Sequence, residues 1–280
     1  MTKKSIRKTF RFLVMIALFA SCEKVIQVDL NSKDPQIVIE AEVTDDISTP
    51  QTVKITKSVN ISDGETFSIV NGASVILNDN FGNNVTLTET SPGIYQNSGL
   101  QGVPGRIYYL TINVAGITYT SVCEMPQSVQ LDTIIVNHSS GGGPGGGGPS
   151  GPGNGNSNRA ESLTPVFQDP IGRGNYYKFK FQKDNETSTS LFLFSDEVVD
   201  GGVNNRSLRA GNISLNKEDT IRVIMMCIDK AVYKYFYGIS ANGNGPNASA
   251  TPANPVSNIT GGALGYFSAY SARTKSIKIE

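Results

Sequence analysis

The chain of 280 residues contains no tryptophan, one histidine and three cysteines. The single histidine, His138, has no cysteine near it in the sequence and lies outside any acidic cluster. A zinc site or a Ser-His-Asp triad needs partner residues of that kind. Without tryptophan, flat contacts with a ligand or partner fall to tyrosine and phenylalanine. The composition therefore predicts a protein that is not an enzyme and that binds no metal or cofactor.

Long apolar runs are absent as well. The run from Phe12 to Ala20 is too short for the roughly 20 residues that a membrane-spanning helix needs. The basic residues before this run are Lys3, Lys4, Arg7, Lys8 and Arg11. A basic segment, a short apolar core and small residues before a cleavage point are typical of a secretory signal. The alternative, one spanning helix with a buried thiol, is disfavoured by the length of the run.

The cysteine at the end of this signal indicates lipoprotein processing, because cleavage before Cys22 makes it the first residue of the mature protein, where it is acylated. Phe19 stands where such signals usually have Leu, and Leu18 lies one residue further back. The sequence predicts a signal peptide over 1–21, a palmitoylated Cys22 and a tether over 22–35. The membrane is then contacted through the lipid alone.

Cleavage changes the charge balance only slightly. It removes five basic residues and no acidic ones, which leaves 19 Lys and Arg against 24 Asp and Glu. Proteins that bind nucleic acid carry a basic surplus that attracts phosphate. We therefore expect no nucleic acid among the partners.

Residues 36–127 have the pattern of an antiparallel β-sandwich. Short runs with alternating apolar residues are separated by clusters of Gly, Pro, Asn, Asp and Ser. The predicted strands are IVIEAEV, QTVKITKSV, ASVILND, VTLTE, GIYQN, RIYYLTINV and ITYTSV. The clearest hairpin turns at Ala115-Gly116, since glycine accepts the positive φ of a tight turn. Pro126 ends the last strand, which places a domain boundary after residue 127.

Residues 128–280 are predicted to form a second β-rich domain with one short helix. Asp229 as N-cap and Gly238 as left-handed stop define that helix. A tract over 141–158 holds ten glycines and three prolines, and its ordering cost predicts a disordered loop over 139–160. The strands expected in this half are Gln130 to Asn137, YYKFKF, LFLFSDEV, IRVIMMCI and Thr274 to Ile279.

Two cysteines remain beside Cys22. Cys123 and Cys227 each lie in an apolar, strand-like segment. In an oxidising compartment they can form a disulfide that links the two halves of the chain. The alternative, which is the simpler interpretation, is that they remain two separately buried thiols, and the sequence leaves both open.

Two short patterns suggest ligand binding or modification. The carboxylates of SDEVVD at 195–200 are potential calcium ligands, but no EF-hand spacing is present and a solvated loop is the simpler interpretation. Asp-Thr-Ile occurs around Thr133 and Thr220 and resembles the O-glycosylation acceptor of some Gram-negative bacteria that export surface lipoproteins. Each threonine also opens a predicted strand, where threonine is ordinary. Thr133 and Thr220 are therefore candidate modification sites.

The glycine-rich tail is the least ordinary part of the second half. Consecutive Gly261 and Gly262 allow backbone geometries closed to other residues, so they predict a constrained turn that seats aromatic residues at the edge of the second domain. These aromatics either pack in the core or form a docking face for a membrane partner. The aromatic candidates of this half are Tyr176, Tyr177, Tyr266, Phe267 and Tyr270.

The tail and the first strands together resemble a known family. The residues that carry the resemblance are NPVSNI at 254–259, GGALGYF at 261–267 and the series GASVILND, SPGIYQN and GRIYYLTI. They are similar to the outer-membrane lipoproteins grouped as domain of unknown function 4249, over nearly the whole mature chain. The resemblance implies a lipid anchor, an immunoglobulin-like or carboxypeptidase-regulatory-like sandwich, and a second β-rich domain. It supplies no catalytic or ligand residues, and only Cys22 carries a role over.

The same resemblance implies a place of action. Members of this family accompany TonB-dependent receptors, so we expect a lipid-anchored protein exposed at the surface of the outer membrane. The expected role is an accessory or capture subunit of a TonB-dependent nutrient uptake system. The alternative is a structural or adhesive surface module with no part in transport.

The signal makes one direct prediction. Replacement of Cys22 by Ala should leave the chain unprocessed by the lipoprotein peptidase, because the thiol that receives the lipid is gone. Mass spectrometry of the native protein should find an acylated Cys22 at the mature terminus. Cys123→Ala is the control and should be processed normally. An unmodified Cys22, or a mature terminus elsewhere, contradicts the interpretation.

Overall fold

A computed structural model describes residues 34–59, 67–138, 159–184, 186–198, 200–209, 213–242 and 254–280. The predicted signal peptide, Cys22, nearly all of the tether and residues 139–158 of the predicted loop lie outside these residues. Residues Pro35–Glu280 form one compact unit. Within the described part of the chain, the structure has no helix that is long and apolar enough to cross a membrane.

The unit is almost entirely β-structure, as predicted, with one helix among the described residues. In chain order, the strands before the glycine-rich tract are β1 (Ile37–Thr44), β2 (Gln51–Lys57), β3 (Ser68–Ile69), β4 (Ser74–Asp79), β5 (Asn84–Ser91), β6 (Ile94–Asn97), β7 (Ile107–Val114), β8 (Ile117–Glu124) and β9 (Thr133–His138). The later elements are β10 (Arg159–Gln168), β11 (Tyr176–Lys183), β12 (Glu186–Thr187), β13 (Phe192–Ser195), β14 (Val203–Asn204), β15 (Leu215–Asn216), β16 (Thr220–Ile228), α1 (Lys230–Asn242), β17 (Ile259–Thr260) and β18 (Leu264–Lys278).

The described strands form two sheets. The larger sheet has 14 strands, with the path β12-β11-β16-β18-β1-β2-β6-β5-β4-β7-β8-β17 and with β13 and β3 paired to β11 and β2. The smaller sheet has four strands. Its central strand, β10, pairs with β14, β15 and β9. Because β9 and β10 pair antiparallel, the glycine-rich tract joins two strands of one sheet and does not link two domains.

The C-terminal strand β18 occupies the middle of the larger sheet. It pairs parallel with β1, in a register that runs from Val38 and Leu264 to Thr44 and Tyr270. Its other edge pairs antiparallel with β16. One strand therefore connects the sandwich formed by the first strands to the strands of the second half.

Two apolar cores lie against the larger sheet. The first includes Ile39, Val53, Leu77, Tyr95, Tyr108 and Phe267. The second includes Phe167, Tyr177, Phe179, Phe181, Val223 and Met225. Strand β11 contributes to both, since Tyr176 belongs to the first core and Tyr177 to the second. The strand is therefore buried on both faces.

All seven strands predicted for residues 36–127 are present, and so is the hairpin at Ala115-Gly116, where both residues have positive φ. In the second half β10 was missed, because the predicted loop included its first residues, 159 and 160. The terminal strand is much longer than predicted and begins at Leu264 rather than Thr274. Its alternation is hidden because residues 265–271 are all buried.

The helix begins as predicted and ends later. The Asp229 carboxylate accepts a hydrogen bond from the Val232 backbone N–H at 2.7 Å, which confirms the N-cap. Gly238 is not the stop, since α1 continues to Asn242. A Cβ on Gly238 would lie 3.3 Å from Cα of Pro255. This glycine therefore permits the close approach of a neighbouring segment.

The predicted turn at Gly261 and Gly262 is present, with φ of 90° and 84°. The turn leads from β17, at one end of the larger sheet, into β18, which pairs on both sides, so the aromatics that follow the turn lie within the sheet. A Cβ on Gly261 would lie 2.8 Å from the carbonyl oxygen of Thr118 on β8. The larger sheet is continuous across residue 127, where the sequence placed a domain boundary.

The pairing of β18 with β1 depends on a glycine. A Cβ on Gly265, which has φ of 100°, would lie only 1.9 Å from the carbonyl oxygen of Ile39. Gly262 has a similar positive φ, but a Cβ there would meet no atom within 4 Å. We predict that Gly265→Ala lowers the free energy of unfolding by at least about 3 kcal/mol. Gly262→Ala, the control for backbone strain alone, should cost about 1 kcal/mol.

Urea denaturation followed by circular dichroism measures both values. Equal losses for the two variants would show that the close contact at Gly265 relaxes at little cost, contrary to this prediction.

Candidate functional site

Helix α1 packs on one face of the larger sheet and organises the most distinctive side chains of the molecule. Val232 and Phe236, predicted to share one helix face, are buried in the first core. The Phe236 ring meets the Tyr266 ring of β18, with centroids 4.8 Å apart. On another side of the helix, the Tyr233 ring lies 4.8 Å from the Tyr176 ring of β11. The helix is therefore held by aromatic contacts with two different strands.

The aromatics of the tail are buried residues of the core. Phe267 is fully buried, and Tyr266 and Tyr270 are each 8% exposed. The Tyr266 hydroxyl donates a hydrogen bond to Glu42 at 3.0 Å. The Asn258 side chain donates to the carbonyl of Phe267 and accepts from its N–H, which ties the tail segment to β18. Of the two interpretations of this cluster, burial favours core packing over docking.

A buried lysine beneath the helix was not predicted from the sequence. Lys178 of β11 is 6% exposed, and its ammonium lies 3.6 Å from the Phe236 ring centroid and 5.7 Å from that of Tyr266. Its alternation with Tyr176 along YYKFKF is the one sequence signal that places it on the helix side of the sheet. The sequence gives no sign that a helix covers it.

Charges around Lys178 perturb one another. Burial lowers the pKa of Lys178 to about 8, and the carboxylate of Glu42 opposes that change. Burial raises the pKa of Glu42, but the charges of Lys180 and Lys178 and the hydrogen bonds from Tyr266 and Tyr270 together outweigh it, so that pKa lies below its usual value. Burial, followed by the charge of Glu42, raises the pKa of Tyr266 and of Tyr270. Both phenols are therefore neutral donors at neutral pH.

One side of α1 is exposed and aromatic. Residues three and four positions apart share a helix face, so Lys230, Tyr233 and Tyr237 form one row, which we call the tyrosine row. The rings of Tyr233 and Tyr237 stack with centroids 6.0 Å apart. Tyr237 is 49% exposed. The row therefore begins beside the buried Tyr176, whose ring contacts Tyr233, and ends in solvent at Tyr237.

A polar cleft adjoins the start of this row. It has a volume of about 430 Å³ and is lined by Arg173, Gly174, Tyr176, Glu197 and Lys230. Glu197 accepts a hydrogen bond from the Tyr176 hydroxyl at 3.0 Å and lies 3.5 Å from the Lys230 ammonium. Burial raises the pKa of Tyr176, so this phenol is a hydrogen-bond donor. The cleft thus combines cationic, anionic and hydroxyl groups beside aromatic rings.

Three carboxylates gather on the loops near this cleft. Oxygen atoms of Asp169, Asp196 and Asp200 lie within 4.8 Å of one another, so these are the residues that could hold a cation. Asp196 and Asp200 come from the SDEVVD segment that the sequence suggested. Their hydrogen-bond donors, with those of Asp169, are the backbone N–H groups of Gly172, Gly174, Asn175 and Gly201, the Asn175 amide and the Tyr177 hydroxyl. These bonds to backbone and side-chain donors account for the gathering of the loops.

The remaining predicted residues do not join this region. Thr133 and Thr220 each begin a strand and are exposed, so their modification stays a prediction. His138 ends β9 and is exposed. Cys123 and Cys227 are free buried thiols, which is the second of the two alternatives. Burial raises the pKa of Cys123 far above its usual value, and its thiol donates to Asp229 at 3.1 Å.

The buried lysine gives a pH-dependent prediction. Its pKa is about 8 in the folded chain and near its ordinary value in the unfolded chain, so between these values the unfolded state binds more protons and stability rises with pH. We predict that Lys178→Met raises the free energy of unfolding at pH 7 by about 1 to 3 kcal/mol. The gain should shrink as pH rises through 8 towards 10, because the parent lysine is then neutral when folded.

Lys180→Met is the matched control, since Lys180 lies on the same strand and face with its side chain 35% exposed. Lys180→Met should change the free energy of unfolding little at pH 7 and at pH 10. Urea denaturation over this pH range tests the prediction. A Lys178→Met protein that is less stable than the parent, or whose advantage is the same at all pH values, contradicts it.

Comparison with known proteins supports one assignment. No curated protein is detectably similar to the chain. A solved structure titled "Cytokine receptor complex - Crystal form 1A" is 8% identical with a TM-score of 0.25, over 87% of this chain and 96% of that one. The family model described as "Domain of unknown function (DUF4249)" matches residues 23–276, which confirms the resemblance found in the sequence. The chain belongs to this family of unknown function.

Proposed function

We propose that this protein is a non-enzymatic lipoprotein of the outer membrane that serves as an accessory or capture subunit of a TonB-dependent nutrient uptake system. The observation that supports this proposal is that the exposed side of α1, which packs on the paired strands of the larger sheet, presents aromatic and apolar side chains to solvent. Tyrosine rings with a polar tip suit such contacts. The predicted lipid on Cys22 supports the location, because the chain before the strands has the pattern of a lipoprotein signal.

The C-terminal end of α1 is the part best suited to docking on a protein. Ile239 is 41% exposed, and Val256 is 75% exposed next to Pro255, which packs on Gly238. Exposed apolar side chains are typical constituents of interaction surfaces, and the approach of Pro255 to Gly238 brings the segment that carries Val256 to the helix that carries Ile239. A lipid anchor confines both partners to one membrane and raises their effective concentration, so a small contact suffices.

Affinity isolation of the acylated full-length protein from detergent-solubilised envelopes tests the proposal. We expect a TonB-dependent receptor to be recovered with the parent. The double variant Ile239→Ser, Val256→Ser should recover at least about tenfold less of it. Val122→Ser is the matched control, because Val122 is 55% exposed on β8, and it should recover as much receptor as the parent.

Recovery of the protein alone, or with surface-layer material, would overturn the transport role and favour the structural or adhesive alternative. Equal recovery of the receptor by the double variant and the control would place the docking surface elsewhere and remove the observation on which the proposal depends.

A further inference from the structure

The cleft at the start of α1 contains two cationic side chains, Arg173 and Lys230. Glu197 is paired with Lys230 and bonded to the Tyr176 hydroxyl. Arg173, which also lines the cleft, makes neither an ion pair nor a hydrogen bond with any residue that the structure describes. A guanidinium carries donors in a planar fork that matches a carboxylate. The cleft therefore has an open position for an anion of that shape.

The other polar groups of the cleft, Glu197 and Lys230, are suited to hydrogen bonds with hydroxyl groups. Glu197 accepts hydrogen bonds, and its exposed carboxylate can accept more than the one that Tyr176 gives. Lys230 is 59% exposed at its side chain and donates. A ligand that bonds to both side chains needs a donor for Glu197 and an acceptor for Lys230. A hydroxyl group is neutral and can be either.

The tyrosine row continues from the cleft as an aromatic wall. Tyr176 lines the cleft, Tyr233 contacts Tyr176, and Tyr237 extends the row to solvent. From Lys230 to Tyr237 the helix rises roughly 10 Å. Such a surface suits a ligand with a ring that has an apolar face. The cleft volume of about 430 Å³ lies in the range of small-molecule sites.

We propose that this cleft binds an acidic sugar, with the carboxylate of a hexuronic acid on Arg173, ring hydroxyls on Glu197 and Lys230, and a ring face against the tyrosine row. A hexuronic acid supplies the anion, the hydroxyls and the ring face in one unit. If the protein is a capture subunit, acidic sugars are the class of ligand that it captures, and this biological role rests on the proposed function. Binding itself is a property of the isolated protein.

Calorimetric titration of the detergent-purified full-length protein tests the site, with digalacturonic acid and its uncharged counterpart galactobiose as probes. We expect digalacturonic acid to bind at least about tenfold more tightly than galactobiose. Arg173→Gln should remove that preference, and Tyr237→Ala should weaken binding of the acid. Arg206→Gln, in a separate cleft beside Asp196, is the control and should bind like the parent.

No binding of the acid at about 10 mM, equal binding of the two sugars by the parent, or an unchanged preference in Arg173→Gln would overturn the proposal. These results are distinct from those of the receptor isolation. A protein that binds the acid but recovers no receptor would refute the transport role alone, and one that recovers the receptor but binds neither sugar would refute the ligand alone.

Discussion

The parallel pairing of β18 with β1 is the contact on which the rest of the structure depends. The last strand of the chain must come back to lie beside the first strand, with Gly265 against the backbone of Ile39. Because β18 also pairs with β16, the strands of both halves become one sheet. Contacts between residues this far apart in sequence carry a large loop-closure cost, which the burial of β18 between its neighbours and the two cores offsets.

The helix side of the sheet follows from this arrangement. With β18 beside β1, Tyr266 and Glu42 share a face, and β11 brings Lys178 to the same region under Phe236. The aromatic cluster and the buried ammonium therefore belong to the support of α1. That support holds the exposed tyrosine row and the cleft at its start in fixed positions. The residues that we propose to bind are thereby separated from residues that position them.

Sequence patterns predicted the first half of this fold well and the second half unevenly. Alternation and turn residues located every strand from β1 to β8 except the two-residue β3, because those strands have one wet face. They do not locate the start of β18, where residues 265–271 are buried on both faces, or β10, which begins within the predicted loop. The helix end predicted at Gly238 was wrong, because in sequence a glycine that allows the close approach of Pro255 looks the same as one that ends a helix. Tyr176 was a candidate from the start, whereas Arg173, Glu197 and Lys230 meet only through tertiary pairing of their loops and helix.

The central claim is that β18 makes Pro35–Glu280 one cooperative unit. Hydrogen exchange of the backbone amides, followed by mass spectrometry under native conditions with increasing urea, tests it most directly. The account predicts that β1, β16 and β18 lose protection together, with the free energy of global unfolding. Loss of protection in β16 and β18 while β1 to β8 remain fully protected would contradict it, since the two halves would then unfold separately.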